Sequence, residues 1–129
     1  MRRYYLNNKW AKRLLWRSYS TISLGLFVVS KEEHLRERTK VHETIHAMQW
    51  AEVTVASLLV LTMLSWLISP LWMMAAPVVY YVWYVVEWLL RLPHGNAYRN
   101  ISFEREAYEN EADIRYLVDR ELFEWLKMI

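Results

Sequence analysis

From Val53 to Val86 the chain carries no Asp, Glu, Lys or Arg. This stretch is too long for one bilayer crossing and fits two, because a helical crossing needs about 20 apolar residues. Ser69-Pro70 supplies the break between them. The expected fold is therefore mostly α, with long helices and a two-span transmembrane hairpin over about 53–68 and 71–90. In a single domain of 129 residues, a soluble bundle would have too little other sequence to cover so much apolar surface. Pro77 is expected to kink the second span. Trp66, Trp72, Trp83 and Trp88 fall near the span ends, where indole rings favour the interface.

Charge orients the hairpin. All sixteen Lys and Arg lie outside it, ten before and six after, and the connecting turn has none. The positive-inside tendency then expects both termini in the cytoplasm. An integral protein of the bacterial inner membrane, with the lipid bilayer as its first partner, is the expected setting. The basic N-terminus leads into no apolar core of signal-peptide type, so a cleaved leader is not expected. A net charge of +2 argues against a nucleic-acid binder. The basic, aromatic residues 1–20, with Leu14, Leu15, Trp10 and Trp16 on one face, fit a short interfacial helix or a solvated arm.

An even number of crossings returns the chain to the side from which it left. That matters because His42-Glu43-Thr44-Ile45-His46 stands just before the first span. On a helix the two histidines lie one turn apart on one face and can share a zinc ion. Glu43 beside them can act as general base toward water. With no cysteine in the chain, any further ligand must be His, Asp or Glu. Ser30-Lys31-Glu32-Glu33 reads as a capping box, so the motif helix is expected to run from about Lys31 to Ile68. Thr21–Val29, rich in β-branched residues, is the one strand candidate.

Catalytic zinc takes three protein ligands as a rule. Past the turn at Pro93-His94-Gly95-Asn96, residues 103–113 are helical by propensity, with Ser102 as N-cap. Glu104, Tyr108 and Glu111 share one face at i, i+4 and i+7. Glu104 is the first choice for the third ligand and Glu111 the runner-up. The Tyr108 hydroxyl is placed to orient a ligand or to donate to the oxyanion of a tetrahedral intermediate. Ile114, Leu117 and Val118 are expected to continue an apolar stripe. The competing reading of these residues is a solvated helix with i, i+4 pairs such as Glu111–Arg115. Gln49, one turn past His46, is a candidate to hold a ligand or substrate. His34 reads as surface and His94 as a loop residue or proton donor. Glu52 and Glu87, at the membrane boundary, read as either functional or snorkelling carboxylates.

H-E-x-x-H, a membrane segment and a later E-x-x-A resemble the membrane gluzincin metallopeptidases, among them the CAAX prenyl peptidases and the zinc domains of β-lactam sensor proteins. Two windows match in part: Glu104-Arg105-Glu106-Ala107-Tyr108, which has Tyr108 where the family has Asp, and Glu109-Asn110-Glu111-Ala112-Asp113, which would make Glu109 the ligand. The whole pattern is also similar to a group of very small bacterial membrane proteins of uncharacterised function. The resemblance implies a zinc peptidase acting on a peptide or membrane-protein substrate. The competing readings are a non-catalytic helical-hairpin module for lipid or partner binding, and a zinc hydrolase acting on lipid or another amide.

Overall fold

The computed structural model describes residues 3–7, 9–14, 20–67, 69–92 and 95–129. His94, and Leu15 and Trp16 of the hydrophobic face foreseen for residues 1–20, lie outside them. The elements run β1 (Arg3–Tyr5), α1 (Lys9–Leu14), β2 (Thr21–Leu24), β3 (Phe27–Ser30), α2 (Glu37–Ser65), α3 (Ala76–Arg91), α4 (Ser102–Asn110) and α5 (Tyr116–Asp119), with 3₁₀ segments at Pro70–Ala75 and Glu124–Met128. The chain is mostly α, with two long apolar helices and a small sheet.

The run read as one strand folds on itself. Gly25 takes a left-handed φ of +59°, which suits glycine, and the chain reverses between β2 and β3. The two pair antiparallel, with Ile22 opposite Val29 and Leu24 opposite Phe27. β1 adds in parallel on the far side of β3, so β2 is an edge strand.

The capping box does not form. Ser30 Oγ closes the β-hairpin instead: it donates to the Ser20 carbonyl, meets Thr21 Oγ1 at 3.0 Å and accepts from the Glu32 amide. The helix therefore starts later, at Glu37, with Arg36 as an N-cap that supplies no side-chain bond. It ends at Ser65 rather than Ile68.

α2, and α3 taken together with the 3₁₀ segment before it (Pro70–Arg91), are long and apolar enough to cross a membrane. Their surfaces agree: Val55, Leu59, Met63 and Val82 are 59%, 65%, 76% and 55% exposed, a cost in water that acyl chains remove. Pro77 kinks nothing. It lies in the first turn of α3, after the 3₁₀ segment, where a missing N–H leaves no bond unmade.

The buried face of α2 is its N-terminal half, from Val41 to Val53. Against it pack Tyr80 of α3, Ile101, Phe103 of α4 and the C-terminal Trp125, while Val41 and Ile45 meet Ala107. The Phe103 ring lies 4.6 Å from those of both Tyr80 and Trp125. The stripe foreseen past α4 is met only at Leu117, which packs against Val41, Ile45 and Ala107: the helix stops at Asn110, and Ile114 and Val118 are 64% and 85% exposed.

The boundary carboxylates do not snorkel. Glu87 is buried and accepts from the Ser102 amide and hydroxyl and from Arg91. It thus caps α4 from outside, and Ile101 rather than Ser102 holds the N-cap position. Glu52 and Glu106 both pair with Arg120, whose side chain is 1% exposed.

Candidate metal centre

His42 and His46 stand one turn apart on α2, both buried. Glu104 enters from the first turn of α4, also buried. Its carboxylate oxygens lie 3.3 Å from His46 Nε2 and 3.6 Å from His42 Nε2, and the two Nε2 atoms are 3.1 Å apart. Ligands of one tetrahedral zinc, with bonds of ~2.1 Å, would stand roughly 3.4 Å apart. Among the described residues, these three form a group whose ligand atoms lie close enough together to bind a metal ion.

The hydrogen bonds behind the ligands favour a cation. His42 Nδ1 meets Glu111 Oε2 at 3.0 Å. His46 Nδ1 meets Gln49 Oε1 at 2.8 Å, while the Gln49 amide donates to the Phe103 carbonyl and to Glu106. Each Nδ1 therefore faces an acceptor and carries its proton. That leaves two Nε2 lone pairs and one carboxylate converging, with Glu104 Oε2 buried and without a hydrogen-bond partner. Such an array is repulsive until a cation joins it. In the metal-free protein, burial opposes ionisation of Glu104. A proton on His46 then takes the cation's place, and its charge, with the hydrogen bond from Tyr84, outweighs burial and holds the carboxyl below its ordinary value.

The stripe Glu104, Tyr108 and Glu111 turns wholly toward His42. Glu104 approaches Nε2 and Glu111 Nδ1, and the Tyr108 ring packs edgewise at 4.6 Å. Glu111 thus supports a ligand from behind and is not in the cluster. It pairs with Arg38 rather than Arg115. Tyr108 lies behind His42 under the Arg99 guanidinium, not on the cavity wall. Glu109 is over half exposed and faces Arg105, which removes it as a ligand. His34 is exposed.

The cluster opens into a cavity of about 430 Å³ walled by Thr21, Ile22 and Ser23 of β2, by Glu43 and Trp50 of α2, and by Tyr80, Tyr81, Tyr84 and Tyr98. The tyrosines escaped the sequence reading. Tyr84 donates to Glu104 Oε1 at 2.5 Å and the Tyr80 hydroxyl lies 3.4 Å from His46 Nδ1. Their signal was present: phenols at i and i+4 in an otherwise apolar span mark a polar face. Burial, together with the neighbouring Glu104 charge, raises the Tyr98 hydroxyl above its ordinary value, so it stays protonated at neutral pH.

The chain matches no family model, no curated protein and no solved structure.

Proposed function

We propose that this chain is a membrane-embedded zinc-dependent metallopeptidase that hydrolyses a peptide bond at the membrane surface. The observation that carries the reading is the convergence of His42, His46 and Glu104 beside Glu43 on the wall of one cavity. A ligand set of nitrogen and oxygen without sulfur, three strong, suits catalytic zinc, which keeps a further position open. Zinc held there supplies Lewis acidity to a carbonyl and lowers the pKa of water. Glu43 takes the proton of the attacking water and passes it to the leaving amine. The cavity phenols supply donors for charge developing on the carbonyl oxygen. β2, an edge strand on the cavity wall, offers an extended peptide a backbone to lie against.

The setting proposed is the bacterial inner membrane with both termini cytoplasmic, the substrate a peptide or a membrane protein. The test is metal analysis and cleavage of a peptide library by the purified protein in lipid. Wild type and Glu43→Gln should both hold zinc near one per chain, with cleavage lost in Glu43→Gln. His46→Ala should lose both. Zinc retained in His46→Ala rejects the site. Cleavage retained in Glu43→Gln rejects the mechanism. Zinc without cleavage of any peptide leaves a structural metal in a hairpin membrane module.

A further inference from the structure

We infer that the tip of the β2–β3 hairpin, Leu24–Phe27, is inserted among lipid acyl chains alongside the two long helices. The inference rests on reading those helices as membrane spans, and it adds a third element to the membrane-embedded surface.

Depth is the first argument. Gly25 sits against the Trp50 indole so closely that a Cβ there would meet it at 2.9 Å. The Trp50 indole in turn donates to the Pro77 carbonyl, and the Tyr81 hydroxyl hydrogen-bonds the Gly25 backbone. The tip is thus fastened to both long helices. Along α2, at 1.5 Å per residue, Trp50 stands roughly 22 Å from Ser65. A hydrocarbon core of about 30 Å that begins at the Ser65 end therefore reaches past Glu52, whose buried carboxylate is paired with Arg120, and past Trp50. On the same scale His46 lies roughly 28 Å away, near the far boundary.

Chemistry is the second argument. No charged residue occurs from Thr21 to Val29. Leu24, Leu26 and Phe27 are 45%, 49% and 44% exposed, although they stand at a turn, where polar residues are the rule. The open end of the same hairpin is polar: Ser20, Lys31, Glu32 and Glu33, with Glu33 bonded to Asn7. One end therefore suits water and the other hydrocarbon. The spans to which the tip is fastened also expose apolar side chains, such as Val78 at 52%. Lipid is the occupant that meets both surfaces at once.

The absence of cysteine permits a direct test. Single cysteines at Leu26, at Leu59 in mid-span and at His34 in the exposed loop are spin-labelled in phosphatidylcholine–phosphatidylglycerol vesicles. Relaxation by oxygen, which concentrates in lipid, is compared with relaxation by a water-soluble nickel chelate. Leu26→Cys should favour oxygen over nickel as Leu59→Cys does, with His34→Cys the reverse. Nickel preference at Leu26 beside oxygen preference at Leu59 overturns the insertion and leaves the spans standing. Shielding of Leu26 from both reagents overturns it too, since protein then covers the tip. Nickel preference at Leu59 removes the spans and the inference together.

Discussion

Two imidazoles on neighbouring turns do not by themselves make a metal site, since each ring can turn either nitrogen inward. Here Gln49 and Glu111 decide the matter from behind, by accepting from the two Nδ1 atoms. Gln49 is itself fixed by Phe103 and Glu106. Gln49→Leu should therefore keep the fold yet weaken zinc about 10- to 100-fold, the usual cost of losing a partner behind a ligand. Titration against a chromophoric chelator reads this, and unchanged affinity would deny Gln49 its role. Glu104 makes a second prediction. Its carboxyl is held below the ordinary value of 4.5 in the metal-free protein. A depressed carboxyl stabilises the fold above its ordinary value, and that contribution is lost as pH falls below it. The metal-free protein should thus lose thermal stability as pH falls from about 5 to 3, and Glu104→Gln should flatten that slope. The pairing of Glu104 with the histidines was legible because zinc chemistry demands a third ligand and the i, i+4, i+7 face offered one. The cavity tyrosines went unread although Tyr80 and Tyr84 stand at i and i+4, because a phenol in an apolar span reads equally well as packing.

Buried polar contacts join elements that lie far apart in the chain. Arg120 follows α5 and holds Glu52 of α2 and Glu106 of α4. Glu106 also takes the Tyr116 hydroxyl. Removing the cation leaves two buried carboxylates facing each other. Arg120→Met should cost about 3–5 kcal/mol, and adding Glu52→Gln and Glu106→Gln should recover much of it, because breaking a buried ion pair is worse than replacing it whole. Denaturation in detergent reads both. Gly25→Ala should cost about 1–3 kcal/mol, from a left-handed φ and from the Trp50 contact. Neither feature was legible in sequence. Arg120 sits among charges that look solvated, and only tertiary packing brings in Glu52 from far along the chain. The misplaced helix start has a similar cause. Ser30 satisfies a capping pattern locally, but the hairpin claims its hydroxyl first.

For the molecule as a whole, the legible part was the hairpin. An uncharged stretch with one break gives two long helices, and two helices return the chain to its starting side. What sequence alone left open was the depth of the C-terminal segment, which tucks Trp125 against Val53 and Phe103 and so presses α4 onto α2. The central claim is that this return lets one metal ion bridge the motif helix and α4. Zinc K-edge X-ray absorption of the zinc-loaded protein tests it most directly. The account predicts one zinc per chain with nitrogen and oxygen neighbours only, the scattering pattern of two imidazoles, and loss of one oxygen neighbour or of the zinc itself in Glu104→Ala. A spectrum with fewer than two imidazoles, or one unchanged in Glu104→Ala, would contradict it.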